Sequence, residues 1–555
     1  MADSYTTTTV SLPVRWDMWW GVNGNHWELR LDGSLVHSAS LVPDSSNAAQ
    51  SGSTTITVSG SGSHVLEVQL CNVTTEGRSC AADSKQITLS DTTASSGGST
   101  GTGTGTGTSG GSSTPPSVGE TPVVLAAGIN GEQNKVYQQN SGKVIANYFV
   151  EWGVYGRNYH VGNIPASNMT HLLYAFLAIC GDNPQAGAGA QAAIASECAS
   201  KQPNQVTLID RFAALQKTYP GDTWIDDTSG SQYNGNFGQL KKLKARYPHL
   251  RILPSVGGWT LSTPFYGMAK DPAKRKVFVD SVVAFLKKYD FFDGVDIDWE
   301  YPVDPGADAG LGSLADRDAY TALMRDLRTA FDTLSAQTGR TYQVTSAVGM
   351  APSKINAMDY AQAHQYMDYI FIMSYDMAGA WESSTGHHTA LFGNNDLHAG
   401  FNTANAVNLI LGQGVPAGKL VVGAAYYGRG WSGVQNTGTH APELFPLYGQ
   451  GVANTKGTWE PAIFDYRDLK NNYIGANGTG INGYTAYYDS IAEAAYLWKP
   501  STGEFISYDS PRSVKAKASY VNTQGLGGFL AWEIDADNGE LLNAINEGLG
   551  NTEVK

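Results

Sequence analysis

Apolar positions along this chain follow two different rules. Up to about residue 91 they alternate with polar ones in short runs: Val14–Trp20, Trp27–Leu31, Thr54–Val58, Val65–Leu70 and Gln86–Leu89. Turn pairs such as Asn23-Gly24 and Asp32-Gly33 separate them. Alternation marks strands with one buried face, so residues 1–91 are predicted to form a small all-β domain, a fibronectin- or immunoglobulin-like sandwich. From about Thr121 the apolar runs become nearly continuous. They fall at Val144–Phe149, Leu172–Leu177, Arg251–Ser255, Phe291–Trp299, Val344–Val348, Tyr369–Met373, Leu420–Ala424 and Gly528–Trp532. Strands of this kind are buried on both faces, and helical segments lie between them. Eight such units predict a parallel (β/α)8 TIM barrel over residues 121–555.

Helix signals sharpen the picture. Asp271 before Pro272 reads as a cap and first turn, followed by Val277, Phe278, Ser281, Val282, Phe285 and Leu286 at helical spacing. Ser313 with Asp316 three residues on reads as a capping box. The interval between the seventh and eighth strands is too long for one helix and two loops. It holds strand-like pieces at Gly483–Asp489, Ala495–Trp498 and Glu504–Tyr508, so an α+β insertion is predicted over about residues 431–508, walling one side of a groove.

Residues 92–120 are almost all Gly, Ser and Thr, ending in Pro115-Pro116. Such a tract cannot bury enough area to offset its ordering entropy and reads as a flexible linker, on the order of 30 Å end to end. The fold class is therefore multidomain: an all-β domain, a tether, and a barrel carrying an insertion.

Composition narrows the partners. The 555 residues carry 36 Lys+Arg against 50 Asp+Glu, a net charge of −14. Nucleic acids and anionic membranes are bound mainly through basic charge, so neither is expected as a partner. Aromatic residues reach 11%, with 13 Trp and 29 Tyr, which suits a neutral substrate with flat faces. The four cysteines form two local pairs, Cys71 with Cys80 and Cys180 with Cys198, and neither has metal or redox-motif spacing. Two short disulfides in an exported protein fit best; four buried thiols are the alternative. The first residues lack an apolar signal core, so an export signal is expected to have been removed.

The chemistry concentrates in Asp293-Gly-Val-Asp296-Ile-Asp298-Trp-Glu300. Strand side chains alternate, so Asp296, Asp298 and Glu300 share one face and Val295, Ile297 and Trp299 the other. In a barrel the apolar face meets the helices, which turns the acids inward. Three carboxylates confined together repel one another and resist desolvation, which raises at least one pKa into the range useful for general-acid work. A strand ending in acids paired with Arg or Lys is the plainer reading, but the run contains no basic residue. A carboxylate metal site is a third option, for which the chain offers no matching oxygen-ligand loop; no metal or cofactor is expected. Asp293 has the opposite parity and reads as structural.

The run DGVDIDWE resembles the catalytic signature of glycoside hydrolase family 18, the chitinases. Ser255-Val-Gly257-Gly258-Trp259, Met373-Ser-Tyr375-Asp376, Tyr427-Gly-Arg429-Gly-Trp431 and Trp532-Glu533-Ile-Asp535 resemble the family's third, sixth, seventh and eighth strand motifs. Within the family the chain is most similar to the bacterial chitinase A type, which joins a fibronectin-like domain, a barrel and an α+β insertion. The resemblance implies retaining, substrate-assisted hydrolysis of β-1,4-linked N-acetylglucosamine in chitin and its oligomers. Glu300 is then the acid and base, Asp298 holds the substrate acetamide, Asp296 pairs with Asp298, and Tyr375 binds the acetamide carbonyl. Trp532 is expected to floor the cleavage subsite. Tyr148, Phe176, Met373, Asp376, Tyr427 and Arg429 line the neighbouring sugars, and Trp152, Trp259, Trp381 and Trp459 extend the groove. The resemblance also implies a secreted, monomeric bacterial enzyme. Two rivals are a chitinase-like lectin, disfavoured because all four catalytic residues are present, and an endo-β-N-acetylglucosaminidase acting on glycans.

Overall fold

The computed structural model describes residues 9–18, 25–41, 50–59, 62–74, 77–89, 132–220, 222, 233–393, 400–435 and 449–554. The chain divides into two compact units, residues 1–112 and 113–555.

In the second unit the eight predicted strands close into one parallel barrel. They are β1 (Val144–Val150), β2 (His171–Ile179), β3 (Arg251–Gly257), β4 (Gly294–Asp298), β5 (Gln343–Gly349), β6 (Tyr369–Met373), β7 (Leu420–Ala425) and β8 (Gly528–Trp532). Each pairs with the next, and β8 pairs with β1 to close the ring. A two-residue strand, Val206–Thr207, adds antiparallel to β2. The pleat sorts the side chains: Ile145 and Phe149 of β1 join the outer core with the helices, whereas Ala146, Tyr148 and Val150 join the inner one. Phe291 and Phe292, predicted as strand, instead pack in the outer core ahead of β4. The strand starts at Gly294, whose φ is +150° and where a Cβ would stand 2.0 Å from the Gln343 carbonyl oxygen of β5. Only glycine permits that approach.

The helix after β3, Pro272–Lys288, starts as its sequence predicts: Asp271 accepts from the backbone N–H of Ala273 at 2.9 Å and Lys274 at 3.3 Å. The helix after β4, Ala315–Thr338, has no side-chain cap from Ser313. The bond runs the other way, from the Ser313 N–H to Asp316 Oδ2 at 2.7 Å. Asp316 also takes the Val303 N–H and pairs with Lys270, so it ties down the loop leaving β4.

Between β7 and β8 an antiparallel sheet orders the strands Gln450–Ala453, Tyr427–Gln435, Glu504–Tyr508, Ala494–Lys499 and Thr485–Asp489, with Ile463–Asp465 also on Tyr427–Gln435. Short helical turns at Tyr466–Leu469 and Lys470–Ile474 complete this insertion. It opens at Tyr427 rather than 431, because a single residue separates β7 from the next strand.

The first unit is a two-layer β structure. Thr9–Met18 pairs with Gln50–Ser59, and a four-stranded antiparallel sheet orders Ser34–Ser40, His26–Leu31, Gly62–Thr74 and Gly77–Leu89. Val14, Ile56 and Val58 of the first sheet pack with Trp27, Leu29 and Leu70 of the second. Trp27 is part of this core. Trp19, Trp20, the Trp16 side chain, the Asn23-Gly24 turn and the 92–120 tract lie outside the described residues. Asp32 and Gly33, both with positive φ, form the predicted hairpin turn. Cys180 is bonded to Cys198. Cys71 lies directly across from Cys80 in the strand register, and the Cys80 side chain is outside the described ones.

Below the barrel, buried Asp293 accepts from the Ile252 N–H at 2.9 Å and from Lys244 at 2.8 Å, with Arg251 and Arg340 on its other oxygen. Removing the carboxylate strands three cations at the root of β4. Asp293→Ala is therefore expected to cost about 3 kcal/mol, against about 1 kcal/mol for the cap variant Asp271→Ala. Denaturant midpoints of the two variants measure this; equal shifts would contradict it.

Candidate active site

Register builds the centre of the site. Ser255 of β3 and Thr345 of β5 stand directly beside Asp296 of β4. All three side chains point to the axis, so both hydroxyls reach the carboxylate: Ser255 Oγ donates to Oδ2 at 2.8 Å and Thr345 Oγ1 to Oδ1 at 2.6 Å. Tyr148 adds its hydroxyl at 3.3 Å. Burial pushes Asp296 up to about 6, even though these three bonds favour its charged form. Two residues on, Asp298 is raised well above the carboxylate range, by burial first and then by Glu300 and Asp296. Its Oδ1 has no hydrogen-bond partner among the described residues.

Glu300 continues the same face past the end of the strand and is 8% exposed. Burial raises it to about 7; the Tyr301 hydroxyl and Lys354 oppose the rise and Asp376 adds to it. Its backbone is fixed from β3. Gly257, with φ +109°, lies so close to β4 that a Cβ would stand 2.2 Å from the Asp298 carbonyl oxygen. The chain then turns so that Ser262 Oγ accepts the Glu300 N–H at 2.8 Å.

Across the barrel mouth, β6 delivers Tyr375 and Asp376. The Tyr375 hydroxyl is buried and has no partner among the described residues. Burial pushes this hydroxyl well up, and of its acidic neighbours Asp298 acts on it most strongly. Asp376, at φ +57°, accepts from Tyr427 at 2.5 Å and from Arg429 at 2.7 and 2.9 Å. Burial alone would raise it, but the Arg429 guanidinium holds its carboxyl well below the usual range. A buried acid that keeps its proton and a more exposed acid that stays ionised thus share one mouth.

Aromatic rings form the floor and rim. Trp532, at the end of β8, stacks on Phe176 at 5.8 Å and packs on Tyr148 at 5.0 Å. Met373 lies in the same inner cluster. Four tryptophans are half-exposed at the rim: Trp152 beside Phe176, Trp259 over Gly306, Trp381 under the Arg429 guanidinium, and Trp459 bonded to Asp465. Trp299 and Trp431 are fully buried and serve packing.

Sequence reasoning missed several supporting groups. Ser255 and Thr345 are small polar residues at apolar strand positions, which was a readable signal. Ser262, Tyr301, Lys354 and buried His388, whose Nδ1 is 3.8 Å from Asp376, gave none. Another missed group lies beside Trp532, where Arg157 binds both Glu533 and Asp535. No cluster of metal-ligating side chains occurs among the described residues. No helix among them is long and apolar enough to cross a membrane.

Comparison with known proteins gives a consistent answer. Residues 144–537 match the family described as glycosyl hydrolases family 18, and residues 4–98 match the chitinase A N-terminal domain. The chain is 40% identical over 571 residues to chitinase A of Pseudoalteromonas piscicida, covering 97% of this chain and 64% of that protein. It is 44% identical over 425 residues to a chitinase of Autographa californica nuclear polyhedrosis virus, covering 75% of this chain and 74% of that one. Among solved structures, a chitinase from Bacillus thuringiensis aligns with TM-score 0.66 at 34% identity, covering 76% of this chain and 71% of the other. The catalytic domain of a psychrophilic chitinase B from Arthrobacter TAD20 aligns with TM-score 0.61 at 28% identity, covering 74% and 95%.

The raised acid has a measurable consequence. Glu300 keeps its proton to about pH 7 when folded but only to about 4.5 when unfolded. The folded chain binds the extra proton in that window, so this contribution is full below pH 4.5 and is lost as pH rises through 7. Glu300→Gln removes the dependence. It is expected to unfold at higher denaturant than the parent at pH 8, with the gap closing at pH 4.5. Parallel midpoints at both pH values would contradict the buried-acid reading.

Proposed function

This chain belongs to family 18 of the glycosyl hydrolases, and we propose that it is a chitinase that cleaves β-1,4-linked N-acetylglucosamine with the substrate's own acetamide as nucleophile. The observation that carries this reading is buried Glu300, its carboxyl pushed up to about 7, on the strand face of Asp298, whose Oδ1 has no partner among the described residues, near Tyr375, whose hydroxyl has none among them either. Both are matched to one N-acetyl group. An acetamide N–H suits Asp298 Oδ1, and an acetamide carbonyl suits the Tyr375 hydroxyl, a donor.

In this mechanism Glu300 gives its proton to the glycosidic oxygen. The acetamide carbonyl oxygen of the same sugar attacks the anomeric carbon as the leaving sugar departs, forming a cyclic oxazolinium ion. Asp298, passing its proton to Asp296 as the substrate binds, accepts the acetamide N–H and stabilises the positive charge. Tyr375 fixes the carbonyl at its attack angle. Water then opens the ring with Glu300 as base, and the anomeric configuration is retained. The trio titrates as a coupled group, with Asp296 buffering Asp298 from below. Trp532 stacks on the apolar face of the reacting sugar. Tyr148, Phe176, Met373, Asp376, Tyr427 and Arg429 surround its neighbours, and the rim tryptophans extend the track. Chitin and its oligomers are the proposed substrates, and the enzyme acts as an exported monomer. The Cys180–Cys198 cystine supports export, since such bonds persist in oxidising compartments.

Glu300→Gln is expected to bind chitohexaose within about threefold of the parent while kcat falls at least about a hundredfold; retained turnover would remove the proposed acid. Fully deacetylated oligomers, which lack the internal nucleophile, are expected to be cleaved at no more than a trace rate. Early products of chitohexaose should be β-anomers by NMR. Comparable rates on acetylated and deacetylated chains, or α-anomers first, would overturn the mechanism.

A further inference from the structure

We propose that Lys517 and Asp509, a buried ion pair behind the groove, are positioning residues for Tyr375; this rests on the role given to Tyr375 above. Both side chains are fully buried. Asp509 follows the last strand of the insertion, and Lys517 lies in the helix Pro511–Thr523 that leads to β8. Lys517 Nζ donates to Asp509 Oδ2 at 2.7 Å and to Thr389 Oγ1 at 2.6 Å. The same carboxylate oxygen accepts the Ala425 N–H at 3.0 Å and lies 3.0 Å from the Thr389 hydroxyl. Ser513 Oγ donates to Oδ1 at 2.7 Å.

These contacts reach the peptides that carry the sugar-binding side chains. Ala425 ends β7, two residues before Tyr427. Thr389 Oγ1 is 3.4 Å from the Ser374 carbonyl oxygen, which belongs to the peptide unit leading into Tyr375. Ser374 Oγ in turn accepts the Gly423 N–H of β7 at 2.8 Å. The Tyr375 ring packs against Gly423, where a Cβ would come within 2.9 Å of two ring carbons. Any slip of β7 along β6 therefore moves the Tyr375 ring, and the ion pair bolts both strand ends to the helix behind them.

Stability does not explain charges in this position. Burial pulls the Lys517 ammonium down and Asp509 pulls it back up. Apolar side chains of the same volume commonly hold a core as well as a buried ion pair does. Packing alone offers no partner for the Ala425 N–H and the Thr389 hydroxyl, and it does not fix their direction. Directional hold on the top of β6 and β7 is what the pair adds, and a displacement of the order of 1 Å at a reacting group costs about a hundredfold in rate.

The test uses the full chain and a double variant, K517M/D509N, which removes both charges and leaves an amide oxygen for the Ala425 N–H. With chitohexaose, kcat is expected to fall about tenfold with KM within about twofold. In a Tyr375→Phe background the same double change is expected to lower kcat by less than about twofold, because it acts through the missing hydroxyl. Thr389→Val, which keeps both charges, is expected to show the same pattern at smaller amplitude and serves if the charge-free variant does not fold. An equal fractional loss in both backgrounds, or a lowered melting temperature with kcat intact, overturns the inference. If the parent itself shows no turnover of acetylated oligomers, the functional reading fails instead, and the two failures are distinguishable.

Discussion

Desolvation of carboxylates on a single strand face is the constraint from which the rest of this site follows. β4 turns Asp296, Asp298 and Glu300 inward because Val295, Ile297 and Trp299 must meet the helices. The barrel interior then withholds water from all three acids. Each additional negative charge raises the cost of the next, so protons are retained near neutrality without any special donor. The hydroxyls of Ser255, Thr345 and Tyr148 limit the effect at Asp296, which stops near 6, while Asp298 rises well beyond. Three acids of different proton affinity result along a single strand.

The opposite wall works by the opposite rule. Asp376 is more open to solvent than Glu300, and it stays ionised because Arg429 meets it with two bonds and Tyr427 with a third. Solvent access and the partner together decide protonation here. A neutral acid suits proton transfer, and a fixed anion suits hydrogen bonding to sugar hydroxyls. Keeping both within one mouth requires that Arg429 be held on the far side, and its position on the insertion strand Tyr427–Gln435, under the Trp381 ring, does so.

How much of this was legible in the sequence depended on range. The eight strands read directly, because a continuous apolar run needs no knowledge of its partners. The acid trio read directly as well, from period two within five residues. Asp271 was legible as a cap because its partners are two and three residues away. Ser313 misled because the same spacing allows the carboxylate of Asp316 to accept the backbone N–H instead. Ser255 and Thr345 became partners of Asp296 only through strand register, 41 and 49 residues distant. The Asp376–Arg429 pair spans 53 residues and the Thr389–Asp509 contact 120. No local pattern encodes such distances, and only the family resemblance pointed to Arg429.

That dependence on long-range partners also explains why the insertion belongs to the site and not beside it. Its first strand begins one residue after β7, so Tyr427 and Arg429 are shared between barrel and insertion. Its last strand runs beside the first, and Ser507 Oγ takes the His388 N–H at 3.0 Å, while His388 Nε2 meets the Tyr427 carbonyl at 3.1 Å. A carbonyl only accepts, so that ring nitrogen carries the proton, and Nδ1 is left facing Asp376. The loop from β6, both ends of the insertion and the end of β7 thus meet around one carboxylate. A groove wall assembled from four chain segments cannot shift at one of them without moving the side chains carried by the others. The proposed acid Glu300 can be held by β4 and its neighbours alone, whereas the wall facing it depends on this convergence.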